Sequence, residues 1–444
     1  MKTKKVLSTI LASTLIVGTM VGCGTSSGNG SQSSSNSGSG KTIKVFQLKV
    51  EINDQLQALA KKYEEEKGVK VEINSVGGGA DYGAALKAEF AKGADAEPDI
   101  FMIQGTSDYE LWKHKIDDLS DQEWIKNAVK GTLDAVTVDG KVYGMPAATE
   151  GYGLAYNKEI LDKAGIDPKS ITSFDKLKAA FETLDSKKAE LGIENVVSYT
   201  TKENWVTGNH TFNIPFAAQE KPKDFLADYM NNKADLVNNK EFNDWTNLVA
   251  LLCKYGGGKT LDTIDYSTQV GNFALGKTAF IQQGNWCAGD LTNLKANFDM
   301  GFVPLCINND ANDKANTSIP VGVPMYWVVN KDSKVNKEAK EFLDWMVSSK
   351  TGQEALVKDM NMIPAFTNFT VESDNKLNKS ISEYNKAGKT LPWTFTGFPD
   401  GFTMNNIGPI FSEFLQTDMG DAAKKDFLQK LQDVKRETQR PASN

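Results

Sequence analysis

From Lys41 onward, short runs with apolar residues at every second position alternate with longer stretches of helical spacing. "KTIKVFQL" (41–48) and "VKVEINSV" (69–76) read as strands. Between them, "NDQLQALAKKYEEEKG" sets Leu56, Leu59, Ala60 and Tyr63 on one helical face, with Asn53 or Asp54 as N-cap and Gly68 past the end. Strand, helix and strand in this order predict an α/β lobe with a parallel sheet. "AEPDIFMIQG" adds a short strand ending in polar and small residues. "SFDKLKAAFETLDSKKAELG" predicts a helix capped by Ser173 with Phe174, Leu177, Phe181 and Leu184 on one face. "NKEAKEFLDWMVSSKTG" predicts another after the strand "VPMYWVVN". No internal repeat and no Gly/Pro-rich linker follows residue 40. At 444 residues the chain exceeds what one core usually serves. Two lobes without a linker imply a chain that crosses between them more than once.

The first forty residues break this pattern. "MKTKKVLSTILASTLIVGTMVGC" has a basic start, an apolar stretch and small residues before Cys23, the layout of an export signal. Its apolar part is shorter than the roughly 20 residues of a membrane span. "MVGC" resembles the bacterial lipobox, with Met20 where Leu is usual. That resemblance implies a lipoprotein signal peptide over residues 1–22, cleavage before Cys23 and diacylglycerol on its thiol. The alternative is an ordinary secretory peptide with an incidental Cys. Residues 24–40 contain only Gly, Ser, Thr, Asn and Gln, so residues 23–40 read as a lipidated Cys and flexible tether with a reach of about 20–25 Å.

The formal charge is -7, and loss of residues 1–22 with Lys2, Lys4 and Lys5 moves it to about -10. An acidic chain without a long basic run is a poor partner for nucleic acid. Of the 50 Lys and Arg residues only Arg436 and Arg440 are Arg. Arg is the preferred fork for carboxylate and phosphate, so an acidic small ligand is disfavoured. With two His and no Cys pair at metal-ligand spacing, no metal site is expected. Cys253, Cys287 and Cys306 allow one disulfide plus a thiol, or three buried thiols. No cofactor motif stands out. "SVGGGADYGAAL" (75–86) lacks both the Walker lysine and the G-x-G-x-x-G spacing. It reads as a strand-to-helix turn capped by Asp81, one that would also let a ligand approach Asp81 and Tyr82. No nucleophile or H-E-x-x-H signature appears.

The tryptophans change the picture. Trp205 in "TTKENWVTGNH", Trp286 in "QQGNWCAG" and Trp393 in "TLPWTFTGF" lie among Gly, Asn, Thr and Pro rather than in apolar stripes. An indole offers a flat apolar face and an N–H that wants a partner. Sugars match this, with an apolar ring face and a polar rim for neighbouring amides and carboxylates. Loop packing is the alternative for any one Trp. In "AFIQQGNW" the reading is a strand that runs to a cleft, with Gly284 giving a close turn before Trp286.

Several stretches together resemble extracellular sugar-binding lipoproteins of bacterial ABC importers, family 1 (cluster B, similar to the maltose-binding proteins). They are "PDIFMIQG" (98–105), "VDGKVYGMPAATEGYGLAYNKEILDKAGID" (138–167), "SFDKLKAAFETL" (173–184), "GKTAFIQQGNWCAGDL" (276–291) and "VGVPMYWVVNKDSKVNKEAKEFLDWM" (321–346). The resemblance implies a two-lobe periplasmic-binding-protein-like (type II) fold, two α/β lobes with a hinge and an interlobe ligand cleft. Residues 41–148 plus 305–352 would form the N-terminal lobe and 149–304 plus 353–444 the C-terminal lobe. Crossings would fall near Thr149, Pro304 and Thr351.

The resemblance also implies ligand contacts from Glu150 at the first hinge and Trp286 as the stacking aromatic, with Tyr152 and Asn285 beside them. Glu203 and Trp205 stand where relatives carry an acid-Pro-Tyr. Thr106 and Ser107 replace the Asp-Arg pair of maltose binders, and Gln104 is the substitute contact there. Trp393, Asp81 and Tyr82 join the set from the residue arguments above.

The function expected is a lipid-anchored, monomeric binding protein on the extracellular face of the membrane. It would capture a neutral oligosaccharide and deliver it to the transmembrane subunits of an ABC permease, without being an enzyme. The alternatives are a lipid-anchored glycoside hydrolase, which needs two flanking carboxylates, and a receptor for a non-sugar solute such as a polyamine.

Overall fold

The computed structural model describes residues 40–77, 80–399 and 401–438. The expected signal peptide, the expected lipid-bearing Cys23 and all but Gly40 of the expected tether lie outside the described residues. The strands are β1 (Thr42–Gln47), β2 (Lys70–Ser75), β3 (Ile100–Ile103), a small hairpin β4 (Thr137–Val138) and β5 (Lys141–Val142), then β6 (Met145–Pro146) and β7 (Glu150–Asn157). They continue with β8 (Asn195–Ser198), β9 (Thr278–Gly284), β10 (Met300–Val303), β11 (Ile319–Gly322), β12 (Tyr326–Val329) and β13 (Thr390–Leu391).

The first sheet runs β2-β1-β3-β12-β6. β1 is parallel to β2 and β3, as the strand-helix-strand pattern predicts, whereas β12 is antiparallel to β3 and β6. Both faces of this sheet are covered. Leu56, Leu59 and Tyr63 of helix α1 (Asn53–Lys67) pack with Phe342 and Trp345 on one face. Leu86, Tyr109 and Trp112 pack on the other. Such double cover is why β3 is apolar at every position, "IFMI", instead of alternating. The second sheet runs β13-β11-β7-β9-β8, with β10 also on β7, and likewise has a core on each face.

Ser173 caps its helix through Lys176 N, and Leu177, Phe181 and Leu184 are fully buried. Gly68 ends α1 in the left-handed region at φ 69°. The N-cap of α1 is neither Asn53 nor Asp54. A 3-10 turn, Val50–Ile52, feeds straight into the helix, so Ile52 holds that place and Asn53 Oδ1 accepts from Ser75 Oγ instead.

The chain passes from the first sheet to the second between Pro146 and Glu150. The other two crossings differ from those expected. Leu305, Cys306, Ile307 and Ala315 pack in the second core, and β11 pairs with β7, so the return falls at residues 323–325 and not near Pro304. The apolar run "VGVPMYWVV" looks continuous in sequence. Pro324 has no N–H for a ladder, so the run splits into strands of different sheets. Ala355, Leu356, Met360, Met362 and Phe366 still pack on the first sheet, and the helix Lys376–Lys386 packs on the second core. The last crossing therefore falls after Phe369, not near Thr351.

Cys253, Cys287 and Cys306 are free and buried. Burial pushes the Cys253 and Cys306 thiols up to about 12 and Cys287 higher still. These three thiols are expected to resist a thiol reagent at neutral pH and to react fully in denaturant; colorimetric titration of the native and unfolded chain checks this.

Candidate functional site

A cavity of about 240 Å³ lies between the two sheets' lobes. Lys49, Glu51, Asp81, Tyr82 and Gln104 line it from the first lobe, and Glu150, Trp205, His210, Trp286 and Trp393 from the second. Beside the cavity the lobes meet, since a Cβ on Gly105 would lie 3.8 Å from Thr396 O.

The aromatic side begins where β9 ends. A 3-10 turn, Asn285–Cys287, follows Gly284, and the Trp286 ring folds back over that glycine. A Cβ on Gly284 would sit 2.2 Å from Trp286 Cζ3. Gly284 itself is extended at φ -119° and ψ -174°, so its role is to make room for the indole, not to form the close turn expected from sequence. Trp286 Nε1 donates to Gln283 Oε1 at 2.8 Å, and Trp205 Nε1 donates to Glu203 Oε2 at 2.9 Å. With these N–H groups satisfied inside the protein, both half-buried indoles offer their faces.

The rings do not form a flat track. Trp205 and Trp286 are 6.2 Å apart at 64°, and Trp286 and Trp393 are 6.4 Å apart at 84°. They make a corner floored by His210, whose ring is 4.8 Å from Trp286. Burial pushes His210 down to about 3, so the floor is neutral. His210 reaches the cavity from the π-helical turn Val206–Thr211, and the π-helical turn Thr403–Ile407 packs against it. Such turns recur at functional sites because the extra residue re-aims side chains.

Three expected contacts stand behind this wall rather than on it. Tyr152 is 0% exposed; its hydroxyl donates to His210 O, and its ring packs against Trp286 and Trp393. Asn285 is 2% exposed, accepting from Gly151 N and donating to Asn378 Oδ1. Glu203 spends its carboxylate on Trp205 Nε1 and Tyr266 N. All three hold the wall's shape.

The polar side centres on Glu150, the first residue of β7. Its Oε1 lies 2.5 Å from Lys49 Nζ, which is also 2.6 Å from Glu51. Burial pushes the Glu150 carboxyl up, and the Lys49 ammonium opposes that. Burial alone would lower Lys49, but Glu150 and Glu51 outweigh it and hold Lys49 above its ordinary range. Loss of one partner from such a buried pair costs about 3–5 kcal/mol. Tyr82 presents its ring, since its hydroxyl is taken by Met102 N, Met102 O and Phe46 O. Asp81 caps helix α2 (Tyr82–Phe90) through Ala84 N at 2.9 Å. Gln104 N donates to Asp108 Oδ2 at 2.7 Å, at the end of β3.

The sequence reading missed Lys49, Glu51 and His210. The signal for the first two was position. Both follow the C-terminal end of β1, where open α/β sheets place ligand sites.

A family model described as bacterial extracellular solute-binding protein matches residues 58–399. The chain belongs to this family. A maltooligosaccharide ABC transporter solute-binding lipoprotein of Streptococcus pneumoniae is 24% identical over 412 residues, 88% of each chain. The melibiose/raffinose/stachyose-binding protein of Bacillus subtilis is 25% identical over 66% of each chain. Among solved structures, SBP RafE in complex with raffinose matches with a TM-score of 0.74 at 19% identity, over 90% of this chain and 100% of that one. A chitin oligosaccharide binding protein matches with a TM-score of 0.73 at 20% identity, over 90% and 99%. The fold is thus the two-lobe type II fold that the sequence resemblance implied. The cleft between the lobes, where the aromatic and charged sides meet, is the candidate solute site.

Gly284→Ala is expected to force the Trp286 ring off its seat. Near-ultraviolet circular dichroism should show altered tryptophan packing, with the far-ultraviolet spectrum retained.

Proposed function

We propose that this chain is the lipid-anchored extracellular receptor of an ABC sugar importer, taking a neutral oligosaccharide into its cleft and presenting it to the permease. The observation that carries this is the juxtaposition of the Trp205–Trp286–Trp393 corner with the Glu150–Lys49 side of one cavity. Stacking removes the apolar face of a sugar ring from water, while hydrogen bonds to charged groups at the rim are worth roughly 1.5–3 kcal/mol each. The names of the relatives agree, since they bind maltooligosaccharide or raffinose-type sugars. Among the described residues no helix is long and apolar enough to cross a membrane; in this reading the anchor is lipid on Cys23. The chain acts as a monomer and binds its sugar without cleaving it; the cleft's buried carboxylate sits on a lysine, a better acceptor for hydroxyls than a proton donor to a leaving oxygen. Trp286, Trp205, Trp393 and Glu150 make the principal contacts, with Asp81, Tyr82 and Gln104 at the rim.

Calorimetric titration with a panel of neutral oligosaccharides tests this. At least one is expected to bind, and Trp286→Ala should weaken it about 10- to 100-fold. No binding of any sugar at millimolar concentration overturns the reading, and so does release of shorter sugars during long incubation.

A further inference from the structure

Among the described residues Lys49 is the only protein donor to the Glu150 carboxylate. It is also the only lysine or arginine among the described residues that line the cavity. Its main chain is pinned as firmly as its ammonium. Lys49 N donates to Gln47 Oε1 at 2.5 Å, and Gln47 Nε2 donates to Lys49 O at 2.9 Å. Gln47 is wholly buried at the end of β1. A long, flexible side chain is therefore held at both ends, and its rotamer entropy is lost on folding rather than on binding. The pair also joins the lobes, because Lys49 follows β1 of the first sheet and Glu150 opens β7 of the second.

We propose that Lys49 is a positioning residue for the ligand: it keeps Glu150 ionised and turned so that the carboxylate's second oxygen accepts a sugar hydroxyl. This rests on the sugar-receptor reading of the same cleft. A carboxylate buried without a cation takes up a proton, and the neutral carboxyl is a weaker acceptor than the ion. The other charged and titratable groups facing the pair cannot replace Lys49. They are Glu51 on the turn after β1, which acts on both members of the pair, Asp81, Tyr82, Asp108 and the neutral His210 on the walls of the same cavity, and Asp290 with Tyr266 of the second lobe, which feel the charge of Glu51. Tyr266 donates to Asp290 at 2.8 Å. None of these brings positive charge.

The test is calorimetry of the wild-type chain, Lys49→Met and Lys49→Arg with one neutral oligosaccharide that the wild type binds, between about pH 5.5 and 9. The wild type is expected to hold a flat profile. Lys49→Met should bind about tenfold more weakly at neutral pH and recover as pH rises and Glu150 loses its proton. Lys49→Arg should restore most of the affinity and the flat profile. Unchanged affinity in Lys49→Met, or an equal loss at every pH, overturns the proposal. Lys49→Met combined with Glu150→Gln removes both buried charges and guards against misfolding. Its affinity should equal that of Glu150→Gln alone, and a further loss overturns the proposal. A wild type that binds no sugar overturns the receptor reading and this one with it, whereas a binding wild type with an unaffected Lys49→Met overturns the role of Lys49 alone.

Discussion

Strand β7 is the constraint on which the cleft depends. It pairs antiparallel with β9, β10 and β11, and seven of its eight residues are buried. A strand bonded along so much of its length has one register, because a slip of one residue would turn every side chain to the other face. That register sets Gly284 opposite Tyr152 and Gly322 opposite Glu150. Trp286 stands just beyond the first of these pairs. Trp393 lies over the second, where a Cβ on Gly322 would come within 2.7 Å of its Cγ. The aromatic corner and the hinge carboxylate are thus fixed by one ladder of backbone hydrogen bonds.

Two glycines make this arrangement possible, and neither needs a left-handed conformation. Gly284 and Gly322 leave the space into which Trp286 and Trp393 lean. The result is a wall of rings at steep angles, backed by Tyr152 and His210 and tied by Glu203 and Gln283. Opposite it stands a charged side on which one lysine serves two glutamates, so that negative charge is in excess. A cleft built from ring faces and an ion pair with excess negative charge suits, on the proposed reading, a solute with many hydroxyls and no negative charge. The near absence of arginine from the chain points the same way.

Much of the fold was legible because its signals are local. Period-two runs, helical stripes and the caps at Ser173, Asp81 and Gly68 each depend on a few neighbouring residues. The crossings were less legible. "VGVPMYWVV" reads as one apolar strand, and only the sheets show that its halves belong to different lobes. The N-cap of α1 failed for a related reason, since the preceding turn already continues into the helix. In the site, Trp205, Trp286 and Trp393 stood out by their polar, Gly-rich context and Glu150 through the family resemblance, and all four line the cavity. Tyr152 and Asn285 lie beside them in sequence yet are buried behind the wall, and Glu203 spends its carboxylate on Trp205 and Tyr266. Position beside a contact residue does not say which way a side chain turns.

By itself, the sequence determined the alternation of strands and helices and the residue types that could meet a sugar, because periodicity and composition are properties of the chain alone, while the family came from the resemblance of whole segments. Only the tertiary structure decided which of those residues meet. Lys49 and Glu150 are a hundred and one positions apart, and Trp205, Trp286 and Trp393 span much of the second lobe. Their meeting is set by strand register and by close packing, which no local window contains. The same packing gave "IQQGNW" its meaning: the glycine is there for the tryptophan to lie on.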